Sequence, residues 1–422
     1  MTKLLLKLKQ KLSSQFIRNI GWLGAAQVLI RVFRLGTTIT TARLLSPEDF
    51  GLVAIVLSLD QFIVAFSQFG ISEKLAQVEE ELLEDYCHTV FWLGWLINIS
   101  LCLIQCLLAF PLAHFYGDPR LVLPIFILSI TYLIRANSIV QGGLVLRENR
   151  LQVFAISDAV GNIATNLMTI VLALLGAGYW SLLIPQVLLA PLWVIIINKS
   201  RPWQLKQGFS IPYVKEVFNF GYNIFGLQVL STLRGNIDNL LIGRFLGIEA
   251  LGMYYFAFNS GLGISLSLLG IFNTALYPHL CAAQGQITEL KARYFEGLKT
   301  IALVAFPLIL LQSSLAHFYI PIIFGQKWIP AIPIVVLICL SALPRPFADA
   351  ASRLLWAVGK PNIDLGWSVV FSIILTISIV LGLPAGIIGV ATSVLLACVI
   401  FLPLFTLWAS HYVFKSSRVS QA

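Results

Sequence analysis

The sequence predicts an all-α integral membrane protein: twelve transmembrane helices in two six-helix bundles, related by a pseudo-two-fold axis along the membrane normal around a central cavity. Three observations predict this. First, 58% of the 422 residues are hydrophobic and only 11% are charged, with mean hydropathy +0.87, whereas soluble domains carry about 25% charged residues. Second, apolar runs of about 20 residues, enough to cross a hydrocarbon core of roughly 30 Å, recur along the whole length. Third, the chain repeats itself. Gln27, Val28, Leu29, Arg43, Leu45, Glu48 and Gly51 recur 201 positions later as Gln228, Val229, Leu230, Arg244, Leu246, Glu249 and Gly252.

Matching Leu and Val mean little in so apolar a chain, but a matching Gln, Arg, Glu and Gly in fixed register mean more. Further along each half the offset becomes 211, bringing Leu144 onto Leu355 and Gly178 onto Gly389, so an insertion of ten residues separates the matched regions. Two six-span halves entering from the same side are parallel repeats, which bracket a pathway in many transporters. The N-terminal lobe is 1–206 (spans 1–6) and the C-terminal lobe 207–422 (spans 7–12).

The spans fall near 17–44, 49–70, 86–113, 121–142, 151–175, 178–198, 214–246, 249–276, 294–320, 329–354, 361–383 and 386–411. Between them stand helix-interrupting residues: Ser46-Pro47, Gly117-Asp118-Pro119, Gly176-Ala177-Gly178, Gly359-Lys360-Pro361 and Pro384-Ala385-Gly386. The segment 73–85 is rich in acids and reads as a solvated amphipathic linker. The first 16 residues form a basic amphipathic run without a signal-peptidase exit, and are expected to be retained.

The net charge of +9 is a topology signal. With a cytoplasmic N-terminus, the cytoplasmic side collects most of the basic residues, among them Lys3, Lys7, Lys74, Arg147, Arg150, Lys199, Arg201, Lys291, Arg293, Lys360 and Lys415. The opposite side keeps Arg120 and Lys327, plus Arg43 and Arg244 at helix ends. That asymmetry places both termini in the cytoplasm. Trp180, Trp203, Trp328 and Trp356 near span ends suit the headgroup level. Membrane lipid is therefore the expected partner of the basic charge, and nucleic acid is not.

Five arginines remain inside spans: Arg31, Arg34, Arg135, Arg234 and Arg345. Each would cost roughly 2.5–3.5 kcal/mol facing lipid, so they should face a wet cavity or a partner. On span 1, Gln27, Arg31, Arg34, Thr38 and Thr41 share one helical face, with Arg31 roughly 21 Å from the cytoplasmic start of the helix. This is an anion-binding patch, or else an interhelical ion pair with Asp60 on span 2. Span 7 carries Arg234 and Asp238 at i,i+4, able to neutralise each other or to contact substrate or cation. Span 10 carries Arg345, Asp349 and Arg353 in i,i+4 steps, Pro344 and Pro346 flanking the first: an ion chain or a moving element. Arg135 extends the basic patch. Asp158, Asn162 and Asn166 on span 5 read as interhelical glue. The repeated Arg-Glu-Gly motif reads as a structural turn.

Catalytic signals are poor. His88, His114, His279, His317 and His411 lack metal spacing, glycine-rich nucleotide loops are absent, and Cys87, Cys102, Cys106, Cys281, Cys339 and Cys398 form no metal or disulfide pattern. No enzyme activity, cofactor or metal is expected.

Several stretches resemble a family. TTARLLSPEDFGLVAI, FGISEKLAQ, TVFWLGWLINI, GLVLRENRLQVFAISD and GAGYWSLLIPQVL are similar to the N-terminal half of bacterial polysaccharide repeat-unit (O-antigen) flippases, and QVLSTLRGNIDNLLIGRFLGIEALGMYYFAFN to their seventh and eighth helices. These belong to the multidrug/oligosaccharidyl-lipid/polysaccharide exporter superfamily. The resemblance implies two helical lobes around a cavity. It also implies export of undecaprenyl-diphosphate-linked oligosaccharide across the bacterial cytoplasmic membrane by alternating access, with polysaccharide polymerase machinery as a further candidate partner. The family has no invariant catalytic motif. Assigning the diphosphate to Arg31 and Arg34, with Gln27, Thr38, Arg135, Arg234 and Arg345 around it, rests on their spacing and depth. Asp60 and Asp238 are the candidates for ion coupling. Two alternatives remain: a cation or drug antiporter of the same superfamily, for which the arginine surplus is wrong, and a membrane polysaccharide polymerase or ligase, which would want a larger outer loop.

Overall fold

In hydrocarbon, backbone N–H and C=O groups must bond to one another, and within a single apolar segment only a helix achieves this. The computed structural model describes residues 15–67, 71–205, 213–262, 276–283 and 286–419, and is helical, with no strand among those residues. The basic run 1–14 lies outside the described residues. The N-terminal helices are α1 (Gln15–Leu44), α2 (Pro47–Ser67), α3 (Leu83–Tyr116), α4 (Val122–Ala136), α5 (Ile139–Arg147), α6 (Leu151–Leu174), α7 (Trp180–Leu188) and α8 (Ala190–Ser200). Then come α9 (Val214–Phe245), α10 (Ile248–Ala257), α11 (Ile287–Ser314), α12 (Ile332–Ser341), α13 (Arg345–Ala357), α14 (Pro361–Gly382) and α15 (Gly386–Val419). Among the described residues, eight helical stretches are long and apolar enough to cross a membrane; one of them, Pro361–Lys415, contains the turn between α14 and α15.

Several expected spans are interrupted, spans 4, 6 and 10 among them. The segment 121–142 breaks into α4 and α5, 178–198 into α7 and α8, and 329–354 into α12 and α13. At the first break Asn137 Nδ2 donates to Leu133 O at 3.1 Å and Ser138 Oγ to Arg135 O at 3.1 Å, so side chains satisfy the last carbonyls of α4. At the third, Pro344 lacks an N–H and disfavours helix in the residue before it. Spans 4 and 10, counterparts in the expected repeat, are both interrupted.

The chain forms two compact units, one of Met1–Ser46 with Ile55–Leu233, the other of Pro47–Ala54 with Arg234–Ala422. In the first, Leu75, Val78, Tyr86, Val90, Leu93, Val140 and Leu144 form a core cluster. The expected amphipathic character of 73–85 is present, with its apolar side docked on this cluster. Glu79, Glu80 and Glu81 are exposed, but Leu75 and Val78 are buried. Arg147 anchors the segment, donating to Leu75 O at 3.0 Å and to Glu80 Oε2 at 2.8 Å.

Helix α3 ends at Gly117, whose φ of 71° lies where a side chain would be strained, and its N–H returns to Ala113 O and His114 O. Asp118 then caps the following turn, accepting from Arg120 N at 2.8 Å and from its guanidinium at 2.7 Å. That guanidinium holds the Asp118 carboxyl below the usual carboxylate range. A depressed folded value contributes stability above the unfolded pKa, lost as pH falls through the folded one. Asp118→Asn keeps the capping oxygen but loses the charge on a partly exposed ion pair, so it should cost about 0.2–1 kcal/mol at neutral pH, and the gap to wild type should close in acid. Thermal denaturation across pH checks this.

In the second unit, Phe256 stacks on Trp328 with centroids 3.8 Å apart, and Phe50 meets Trp328 edge-on at 5.2 Å. Trp328 is fully buried. It is a core residue, held by neighbouring rings and not by lipid headgroups. The repeated glycines explain themselves here. A Cβ on Gly51 would lie 1.9 Å from Ile248 O, and one on Gly252 would lie 1.7 Å from Pro47 O. Pro47 and Ile248 are themselves 201 positions apart, so each copy of the repeat lays its glycine on the other's first helical turn.

Candidate substrate site

In the first unit α1 packs beside α6, where Thr37 Oγ1 lies 3.3 Å from Asn166 O. Thr37 and Thr41 are buried, Arg31 is half-buried and Arg34 is exposed. Two arginines therefore flank the packed stripe of α1 rather than entering it. Thr38 donates its hydroxyl to Arg34 O at 2.8 Å, leaving its oxygen as an acceptor. The side chain of Gln27 lies outside what the structure describes.

Asp60 has other company than α1. Tyr132 Oη stands 2.8 Å from Asp60 Oδ1 and 2.6 Å from Gln105 Oε1, and Gln105 in turn donates to Ile125 O at 3.1 Å. The guanidinium that acts on Asp60 is Arg135. Arg135 also lines a cavity of about 300 Å³ with Asn98, Tyr132, Ser138, Phe154 and Trp193. This cavity sits at the break between α4 and α5, where the interruption turns Ser138 toward it. Trp193 donates to Asp158 Oδ1 at 3.0 Å, so Asp158 does join two helices. The side chains of Asn162 and Asn166 do not: their amides donate to Asp158 O at 2.8 Å and Asn162 O at 2.7 Å, back into their own helix, and Asn166 meets α1 through its backbone carbonyl.

The second unit has a parallel arrangement. Tyr254 Oη donates to Asp238 Oδ2 at 2.9 Å, Asn239 N donates to Oδ1 at 2.9 Å, and Arg345 acts on the carboxylate electrostatically. The Arg234–Asp238 pair expected along α9 is thus replaced, because Asp238 turns to Tyr254 while Arg234 faces Asp349. Asp349 feels Arg234, Arg353 and Arg345 electrostatically, so Arg234 joins the charges of the expected Arg345–Asp349–Arg353 chain. Arg345 Nη2 lies 3.9 Å from Cys398 Sγ, and Arg353 sits 4.4 Å over the Trp356 ring. Asp364, one turn into α14, accepts from Ser352 at 2.6 Å and from Trp356 at 2.9 Å. Among the described residues Arg345 Nε is buried without a hydrogen-bond partner. A buried, unmatched donor on a guanidinium is costly, and it is the kind of group an anion satisfies.

Each unit thus couples a carboxylate, a tyrosine hydroxyl and an arginine beside a broken helix: Asp60, Tyr132 and Arg135 in one, Asp238, Tyr254 and Arg345 in the other. Sequence reasoning found the charged members. It missed Tyr132, Gln105, Trp193 and Tyr254, because neutral polar and aromatic residues in apolar helices carry no signal until packing selects their partners.

Known proteins share this arrangement of helices. The lipid II flippase MurJ in an inward closed conformation matches with TM-score 0.77 at 16% identity, over 92% of this chain and 87% of that one. An inward-facing transporter of the multidrug resistance MATE family matches with TM-score 0.71 at 15% identity, over 93% and 96%. At such identities the likeness concerns the fold. In sequence, the lipopolysaccharide biosynthesis protein WzxC of Escherichia coli (strain K12) is 24% identical over 405 residues, 92% of this chain and 80% of that protein. The succinoglycan biosynthesis transport protein ExoT of Rhizobium meliloti (strain 1021) is 24% identical over 370 residues, 86% and 74% of the two. Residues 41–333, well over half of the chain, match the polysaccharide biosynthesis protein family, and the chain belongs to it.

Proposed function

We propose that this chain is a flippase that moves undecaprenyl-diphosphate-linked oligosaccharide repeat units across the bacterial cytoplasmic membrane by alternating access, for polysaccharide biosynthesis. The observation that carries the reading is a helical membrane fold of this family with guanidinium groups inside its spans. WzxC and ExoT are named for polysaccharide biosynthesis and MurJ for flipping a lipid-linked substrate, which supports the same substrate class. Arg31 and Arg34 take the diphosphate, because arginine matches phosphate oxygens in bidentate geometry. Thr38, Gln27, Arg135, Arg234 and Arg345 complete the polar path, and Asp60 and Asp238 are the ion-coupling candidates. An inside-negative potential favours outward movement of negative charge by about 2.3 kcal/mol per charge per 100 mV.

Twelve spans in two repeat halves, 1–206 and 207–422, with cytoplasmic termini, belong to this proposal; the 201-residue register of Gly51 and Gly252 supports the halves, and the distribution of lysine and arginine supports the orientation. Deleting the protein tests the function. Lipid-linked oligosaccharide should accumulate where only cytoplasmic reagents reach it, and polymer should stop. Intermediate reaching the outer leaflet undiminished, with polymer merely altered in length, would replace the flippase by a polymerase or ligase. Lost efflux of cationic dyes with normal polymer would make it a drug antiporter.

A further inference from the structure

The second unit holds a groove unrelated to the arginines above. It has a volume of about 840 Å³ and runs between the start of α11 and the end of α15. Lys291 and Phe295 line one wall, one helical turn apart. Leu404, Leu407, His411 and Lys415 line the other, at the 3–4 spacing that puts them on one face. Among the described residues no carboxylate lines it. From Lys415 to Leu404 the wall descends roughly 16 Å along the helix, from two lysines to bare leucines. Leu404, Leu407 and Trp408 are 53%, 67% and 47% exposed, which in a membrane helix means contact with lipid. Trp408 stacks on Tyr412 with centroids 5.5 Å apart, and Tyr294 and Phe295 meet Phe414 at 5.9 and 6.1 Å. Rings and lysines together mark the headgroup level.

We infer that this groove binds an anionic glycerophospholipid, its phosphate between Lys291 and Lys415 and one acyl chain along Leu407 and Leu404. Basic pockets between transmembrane helices at the membrane surface attract acidic headgroups, and here a lysine stands on each wall with no acid in the lining among the described residues. The graded wall completes it. A free phosphate has no use for the leucines, and a neutral lipid gains nothing from the lysines. The site is independent of the flippase reading, since it asks for a resident lipid and not for cargo.

Native mass spectrometry of the full chain in detergent tests this, with phosphatidylglycerol and phosphatidylcholine of identical acyl chains as probes. Wild type should retain phosphatidylglycerol roughly tenfold better. Lys291→Ala with Lys415→Ala should abolish that preference, the paired Lys→Arg variants should keep it, and Lys360→Ala, outside the groove's lining, should leave it unchanged. Leu407→Asn should weaken retention of both lipids. Equal retention of the two lipids by wild type, or an undiminished preference in the double alanine variant, would overturn the site. Displacement of phosphatidylglycerol by equimolar undecaprenyl phosphate would overturn its assigned occupant.

Discussion

Valine at Gly51 or Gly252 is expected to cost about 3 kcal/mol or more, at the upper end of what overpacking does. The added Cβ would meet Ile248 O at 1.9 Å in one case and Pro47 O at 1.7 Å in the other. Those are backbone atoms, so no rotamer change relieves the clash; a whole helix must shift. The shift would also disturb the rings packed beside it, since Phe50 adjoins Gly51 and its ring touches both Phe256 and Trp328. Gly36 provides the control. Nothing lies within 4 Å of a Cβ there, and alanine in a helix interior is favoured over glycine by roughly 0.5–1 kcal/mol. Thermal unfolding of the purified variants should show large losses at Gly51 and Gly252 and none at Gly36. Comparable behaviour at all three would show that the close crossing does not exist.

Arg31→Ala with Arg34→Ala is expected to reduce repeat-unit export by one to several orders of magnitude while protein level and melting temperature hold. Hydrogen bonds to a charged group contribute about 1.5–3 kcal/mol each, so two lost guanidinium contacts suffice for that range. Stability should hold because α1 packs through Thr37 and Thr41, while Arg34 is exposed and Arg31 half-buried. Lysine at both positions keeps the charge but not the fork, and should fall between wild type and alanine. Export of polymer in cells, normalised to protein level, is the measurement. Undiminished polymer from the double alanine variant would remove both residues from the transport path.

Much of the fold was legible because hydrocarbon leaves a chain little choice. Length and apolarity alone located α2, α3, α6 and α14 near their observed limits, and Gly117-Asp118-Pro119 marked the turn where α3 ends. The breaks inside spans 4, 6 and 10 were not legible, although Pro344 was in view. A proline or a polar pair interrupts a helix only where neighbouring groups take up the freed backbone bonds, and the Asn137 and Ser138 side chains do this locally after the fact. The packing of Trp328 was not legible either, because the rings that bury it come from Phe50 and Phe256, far away in the sequence.

What the sequence determined by itself was solvent and repetition: a helical chain for lipid, with one segment recurring at an offset of 201 and arginines where hydrocarbon would refuse them. The purpose of the repeated glycines was decided only by tertiary structure, because close approach belongs to two segments and neither contains it alone. Charge pairing was decided there too. Helical spacing set Asp238 beside Arg234 and Asp60 within reach of α1, yet a carboxylate removed from water takes whichever donor lies nearest in three dimensions. In both units that donor is a tyrosine from another helix, which no one-dimensional spacing could single out.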